Sequence, residues 1–81
     1  MKTIVLTAAA AKQLDALPKD AAADIETALA LYAIAGLGDV KRVQARDGYR
    51  LRVGRYRVIF GDDGMSVLAI YIGTRETTTY R

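Results

Sequence analysis

The segment YRLRVGRYRVIF, residues 49–60, constrains the fold most strongly, because apolar and charged residues alternate on both sides of a glycine. Alternation with a period of two predicts β-strands. The dipeptide Gly54-Arg55 fits a two-residue hairpin loop with glycine first, as a type II′ turn requires. Such a loop fixes the register, with Val53 opposite Tyr56 and the remaining pairs following outward.

This register sorts the hairpin side chains onto two faces. The apolar face comprises Tyr49, Leu51, Val53, Tyr56, Val58 and Phe60. The other face carries Arg50, Arg52 and Arg57. Like charges on neighbouring strands repel, by about 0.7 kcal/mol in water and about 3 kcal/mol at an effective dielectric constant of 20 for a separation of about 6 Å. The arrangement therefore favours an anionic ligand, since guanidinium groups bind phosphate in a bidentate manner and stack on bases.

A second interpretation of the arginines stays open. In this interpretation the arginine side chains bind no ligand and are either solvated or paired with the carboxylates of Asp47, Asp62, Asp63 and Glu76. The tail GTRETTTYR favours the anion-binding interpretation, because Arg75, Tyr80 and Arg81 supply further cations and an aromatic ring that can stack on an extruded base.

The rest of the chain predicts an α+β fold. Residues 2–6 are β-branched and apolar and predict a strand, and Thr7 fits the N-cap of a following helix. Pro18 ends that helix and suits the first position of a second one, which Gly36 terminates. The two helices form a hairpin that covers the sheet.

One stripe of the second helix is apolar and faces the sheet, with Ile25, Leu29 and Tyr32 at helical spacing. Residues 36–48, GLGDVKRVQARDG, are predicted as a connecting loop whose Leu37, Val40 and Val43 turn back onto the core.

After a turn at residues 62–64, the apolar segment MSVLAIYIG predicts an inner strand that is buried on both faces. The predicted order is β-α-α-β-β-β, in one domain spanning residues 1–81.

Composition excludes several kinds of chemistry. The chain has no cysteine and no histidine, so thiolate chemistry, disulfides and imidazole proton transfer are absent. No metal ion or cofactor is expected, and Asp62 and Asp63 are better explained by a turn than by a metal site. The N-terminal apolar run covers only residues 4–6, which is too short for a signal peptide, and predicts a cytoplasmic location.

Charge is divided between the two halves of the chain. Residues 1–40 carry three basic and five acidic side chains, whereas residues 41–81 carry nine basic and four acidic ones. The basic second half is typical of a protein that binds a polyanion such as nucleic acid, although solvated arginines alone also explain it.

These segments resemble the RelE branch of the RelE/ParE superfamily of bacterial toxins from type II toxin–antitoxin modules. The resemblance covers nearly the whole chain: LTAAAAKQLDALPKD matches the helical hairpin, GYRLRVGRYRVIFGDDG the arginine hairpin, and VLAIYIGTRETTTYR the last strand and tail. It implies a RelE-like fold and a toxin that cleaves mRNA in the ribosomal A site, with the ribose 2′-hydroxyl attacking its own phosphodiester. The resemblance implies that this cleavage inhibits translation and that the reaction requires no metal ion.

The resemblance also implies roles for individual residues. Arg57 and Arg75 match the arginines that bind the scissile phosphate, and Tyr80 matches the C-terminal tyrosine. Arg50 and Arg52 match paired basic residues that hold the RNA backbone and stabilise developing charge. The catalytic set is therefore predicted as Arg52, Arg57, Arg75 and Tyr80. The RNA-binding set is predicted as Arg50, Arg55 and Arg81.

The implied partners are a RelB-like cognate antitoxin from the same operon, the ribosome and mRNA. Operator DNA is an indirect partner, bound through the antitoxin, and neither a membrane nor a small-molecule cofactor is expected. Acidic antitoxin segments fit the basic second half of the chain.

The chain departs from the pattern of the family at three positions. Some members have lysine where this chain has Arg50 and Arg52, and an arginine is a poor general base because it stays protonated. Thr74 stands where many relatives have histidine or lysine. Two alternatives therefore remain: a ParE-like inhibitor of DNA gyrase, which shares the fold, and a catalytically silent member that binds only its antitoxin.

Overall fold

The computed structural model describes residues 1–43 and 48–74. Along the chain the elements are β1 (Thr3–Leu6), α1 (Ala8–Asp15), α2 (Lys19–Ala35), β2 (Asp39–Arg42), β3 (Tyr49–Val53), β4 (Tyr56–Asp62) and β5 (Ser66–Thr74). Within the described ranges the strands form one five-stranded sheet in the order β1-β5-β4-β3-β2. β1 runs parallel to β5, and the other neighbours are antiparallel. The predicted α+β architecture is confirmed.

The helical hairpin begins and ends at the predicted signals. The Thr7 side-chain oxygen accepts a hydrogen bond from the Ala10 backbone N–H at 3.1 Å, which caps α1. Gly36 closes α2 in the left-handed region, with φ of 69°. Pro18 occupies the N-cap of α2 and thus lies one position before the predicted one.

The core lies between the helical hairpin and one face of the sheet. Phe60 at its centre is fully buried, and its ring lies 5.5 Å from that of Tyr49 and 4.9 Å from that of Tyr32. Burying a side chain of this size stabilises the fold by roughly 1.5–3 kcal/mol. Ile25 and Leu29 are buried in the predicted stripe of α2. The helices thus cover one face of the sheet and leave the other face to the arginines.

The segment before the hairpin differs from its prediction. Residues 39–42 form the edge strand β2 where a loop was expected. Val40 packs against the core as predicted, but Leu37 is 59% exposed, so its predicted contact with the core is wrong. The chain enters β2 at Gly38, where φ is 145° and a Cβ would lie 2.9 Å from the Cδ1 atom of Leu51, so glycine suits this position. Pairing with β3 then holds residues 39–42 as a strand.

The last strand, β5, also differs in part. It is an inner strand as predicted, paired with β1 on one side and β4 on the other. However, Leu68 and Ile70 are each 39% exposed, so the prediction that both faces are buried is wrong. The physical reason is that both helices pack on the same face of the sheet.

Candidate nucleic-acid interface on the open face of the sheet

The arginine hairpin pairs in the predicted register. Val53 lies opposite Tyr56, Arg52 opposite Arg57, and Arg50 opposite Ile59. Gly54 has φ of 59°, and within the described residues every positive φ belongs to a glycine, so Arg55 has a negative φ. That combination identifies the predicted type II′ turn. Because paired residues share a face and Leu51 and Val58 are in the core, the three arginines point away from the helices.

The neighbouring strands extend this face into two cross-strand rows. One row contains Lys41, Arg50, Ile59 and Tyr71. The other row contains Asp39, Arg52, Arg57 and Gly73. Neighbouring Cα atoms on the same face lie about 5–7 Å apart. Four basic side chains therefore share one patch, which we call the arginine face: Lys41, Arg50, Arg52 and Arg57.

Burial differs between the basic side chains. Arg52 and Lys41 are exposed, whereas Arg50 and Arg57 are half-buried. The Nε atom of Arg50 is buried and, within the described part of the chain, has no hydrogen-bond partner. A buried donor without an acceptor is costly.

The acidic residues near the hairpin are mostly engaged elsewhere. Asp63 accepts hydrogen bonds from the backbone N–H groups of Met65 and Ser66, at 2.9 and 2.8 Å, which confirms the turn interpretation of this residue and lowers its pKa. Asp62 binds Lys2 and Tyr32 on the helix side. Asp39 is directly opposite Arg52 in the register and offsets part of the positive charge. Two further candidate partners, Asp47 and Glu76, lie outside the described residues.

Asp62, the last residue of β4, forms a polar cluster with Lys2 and Tyr32 on the helix side of the sheet. Its Oδ2 atom accepts hydrogen bonds from Lys2 Nζ and from the Tyr32 hydroxyl, both at 2.6 Å. The hydrogen bond from Lys2, followed by that from Tyr32, lowers the pKa of Asp62 to about 2. Burial, followed by the hydrogen bond to Asp62, raises the pKa of Tyr32 to about 12. This cluster joins the residue before β1, helix α2 and the end of β4, and it lies on the opposite side of the sheet from the arginine face.

Several predicted site residues are placed by the structure, and others are not. Arg50, Arg52 and Arg57 lie together, and Arg55 is exposed in the turn beside them. The tail residues predicted for the site, Arg75, Tyr80 and Arg81, lie outside the described residues.

Sequence reasoning missed two residues of this face, Lys41 and Tyr71. The loop predicted for residues 36–48 includes Lys41, although Val40 between two charged residues is a short alternating signal for an edge strand. Tyr71 follows from extending the hairpin register to β5.

The chemistry available on this face is electrostatic. Guanidinium groups held by a sheet can bind phosphate and stabilise the charge that develops on its oxygens, without reorganising. Proton transfer by imidazole is excluded, because the chain contains no histidine.

None of the helices among residues 1–43 and 48–74 has the length and apolar character needed to cross a membrane.

The order and pairing of the elements define a RelE-like fold, and solved structures confirm it. A chain in the RelE–RelB complex of Pyrococcus horikoshii OT3 matches with a TM-score of 0.76 and 20% identity, over 95% of this chain and 98% of that chain. A chain in the RelB–RelE antitoxin–toxin complex of Methanococcus jannaschii matches with a TM-score of 0.75 and 18% identity, over 90% and 92%.

A third structure comes from a bacterium. A chain in the toxin–antitoxin complex RelBE2 of Mycobacterium tuberculosis matches with a TM-score of 0.63 and 22% identity, over 91% of this chain and 98% of that chain. No protein-family profile and no curated protein sequence matches the chain. The similarity therefore establishes the fold, which confirms at that level the resemblance seen in the sequence.

Proposed function

We propose that this chain is a RelE-family toxin of a type II toxin–antitoxin module, and that it inhibits translation by cleaving mRNA in the ribosomal A site. One observation carries the proposal: the strand register collects Arg50, Arg52 and Arg57 on the face of a RelE-like sheet that the helices leave open. Lys41 adds a fourth cation to the same patch.

In the proposed reaction the ribose 2′-hydroxyl attacks the adjacent phosphorus and loses its proton to solvent. A 2′,3′-cyclic phosphate forms as the bond to the 5′-oxygen of the next nucleotide breaks, and that oxygen takes up a proton from solvent. Arg57 and Arg75 bind the scissile phosphate, and Arg52 stabilises the charge that develops on its oxygens. Arg50, Arg55 and Arg81 hold the RNA backbone. Tyr80 stacks on a base or assists proton transfer, as the resemblance implies. The arginines contribute charge rather than proton abstraction, since they stay protonated.

A RelB-like antitoxin is the proposed partner, and the chains of similar fold come from RelE–RelB complexes. Apolar surface on the β1 side of this chain supports a protein partner. Ile4 and Ile34 are 39% and 62% exposed. A groove of about 380 Å³ between β1 and α2 is lined by Ile4, Ala30 and Ile34 among others. We propose that the antitoxin covers this groove and that the toxin acts in the cytoplasm.

Mapping of mRNA ends in a purified translation system tests the nuclease. Addition of the chain should stop protein synthesis and produce new 5′ ends within the A-site codon, seen by primer extension. Inhibition without such ends would contradict the proposed cleavage. A supercoiling assay with purified gyrase, run in parallel, distinguishes the ParE-like alternative, which predicts inhibition of gyrase that alanine at Arg50 and Arg52 does not relieve.

A further inference from the structure

The open face of the sheet changes character between β4 and β5. On the β3–β4 side it carries the basic residues of the arginine face. On the β5–β1 side, Leu68 pairs with Val5, and these side chains are 39% and 44% exposed. Leu68 lies on the same face of the sheet as the arginines, because its two neighbours along β5, Val67 and Ala69, are buried in the core on the other face. The face is thus cationic on one half and apolar on the other.

Tyr71 lies at the boundary between the two halves. It is half-buried, it lies opposite Ile59 in the register, and Ile59 in turn lies opposite Arg50. The next position of β5 on this face is Gly73, directly opposite Arg57. Gly73 has no side chain, so none projects from it between the phenol ring and the Arg57 guanidinium.

This division matches the two chemical sides of single-stranded RNA. Its phosphates are anionic, and its bases have flat apolar faces. Proteins that bind single strands combine a cationic track for the backbone with aromatic side chains for the bases. Tyr71 and Arg57 are diagonal neighbours on adjacent strands, about 7–8 Å apart between Cα atoms. A nucleotide bound by its phosphate at Arg57 can therefore place its base over the ring of Tyr71.

We infer that Tyr71 is a base-stacking residue of this chain, which orients one nucleotide while the arginine face holds its phosphate. The inference rests on the proposed function, because it assigns RNA to the arginine face. A purely structural role for Tyr71 would be to cover Ile59, which is 1% exposed. Leucine and valine cover an apolar neighbour almost as well as tyrosine does, but they do not stack on a base.

The test compares two short single-stranded RNAs of equal length, oligoadenylate and the same RNA with abasic nucleotides at its centre. Both carry the same phosphates, so their difference in affinity for the full chain measures base contacts. The wild-type chain should prefer oligoadenylate by about tenfold at low salt. Tyr71→Phe should keep that preference. Tyr71→Leu should reduce it while retaining affinity for the abasic RNA, because only the stacking proposed for Tyr80 then remains. Tyr71→Val is the second variant should the leucine variant not fold.

Tyr56→Leu provides the matched control, because Tyr56 packs on the helix side of the sheet and should not affect the preference. The inference is overturned if the wild-type chain shows no preference, if Tyr71→Leu or Tyr71→Val retains the full wild-type preference, or if Tyr71→Phe loses it. A wild-type chain that inhibits translation and yet shows no base preference overturns the role of Tyr71 alone. A chain that does not inhibit translation overturns the proposed function itself.

Discussion

At the scale of single residues, Asp62 links parts of the chain that are distant in sequence. It lies at the end of β4 and binds Lys2 before β1 and Tyr32 on α2. The Lys2 ammonium also lies 5.2 Å from the centre of the Tyr32 ring, within the range of a cation–π interaction. The side chain of Asp62 is only 8% exposed, so water replaces its partners poorly. This cluster fastens the N-terminal segment and the second helix to the sheet.

Replacing Asp62 with alanine should therefore destabilise the protein. Loss of charge-assisted hydrogen bonds from Lys2 and Tyr32 should lower the free energy of unfolding by about 1.5–3 kcal/mol. Urea denaturation followed by circular dichroism measures this change. Asp24→Ala removes the same charge from an exposed position of α2 and should change stability by no more than about 0.5 kcal/mol. Equal effects of the two substitutions would contradict the role of the cluster.

The same cluster predicts how stability depends on pH. The folded pKa of Asp62, about 2, lies below its ordinary value of 3.8, so its contribution is complete above about pH 4 and is lost as the pH falls toward 2. The folded pKa of Tyr32, about 12, lies above its ordinary value of 10.0, so its contribution is complete below pH 10 and is lost as the pH rises toward 12. Thermal unfolding measured across both ranges should show both losses, and Asp62→Ala should lessen each of them.

The sequence could not predict this cluster. Asp62 lies 60 residues after Lys2 and 30 residues after Tyr32, and no local sequence pattern relates the three residues. Tyr32 carries the apolar spacing of a core residue, and Asp62 fits a turn. Their contact depends on how α2 packs over the end of β4, which only the tertiary structure shows.

At the scale of elements, the hairpin of β3 and β4 was predictable in full. A two-residue loop with alternation on both sides of it leaves one register, so the pairing followed from twelve residues read locally, although Ile59 interrupts the alternation. β2 was not predictable in the same way, because three of its four residues are charged and only Val40 signals burial. An edge strand with polar residues is stabilised by its neighbour rather than by its own pattern.

The turn of this hairpin should be sensitive to substitution at Gly54. Its φ of 59° is a conformation that side chains other than glycine adopt at a cost of about 1–2 kcal/mol. Gly54→Ala should lower the free energy of unfolding by about that amount, as measured by denaturation. Gly61→Ala is the matched control, because a Cβ at Gly61 meets no atom within 4 Å and no unusual φ is required there. That substitution should be neutral or stabilising, and the reverse order of effects would contradict the type II′ turn.

At the scale of the whole molecule, two surfaces with different chemistry lie on different parts of the fold. The arginine face is cationic and lies on the side of the sheet that the helices leave open. The groove between β1 and α2 is apolar. A cationic surface attracts polyanions through long-range electrostatic forces, whereas an exposed apolar surface favours a protein partner. The proposed RNA and the proposed antitoxin therefore meet the chain through different forces.

The antitoxin surface can be tested by co-expression with the product of the neighbouring gene. Ile34→Glu places a charge in the apolar groove and should weaken binding of the antitoxin by at least tenfold in a titration. In cells that co-express the antitoxin, this variant should therefore be toxic. Met65→Glu is the matched control, since Met65 is even more exposed, at 81%, but lies in the turn before β5. If both variants bind the partner as tightly as the wild-type chain does, the groove is not the antitoxin surface.

The most direct test of the central claim is a comparison of charge-matched variants in a purified translation system. Arg52→Ala and Arg57→Ala remove a positive charge from the arginine face, whereas Lys12→Ala and Lys19→Ala remove one from the helical side. The concentration that halves protein synthesis should rise at least tenfold for each arginine variant, with unchanged circular dichroism, because each loses a charge-assisted contact to phosphate. It should stay at the wild-type value for both lysine variants. Equal inhibition by all four variants would contradict a function located on the arginine face.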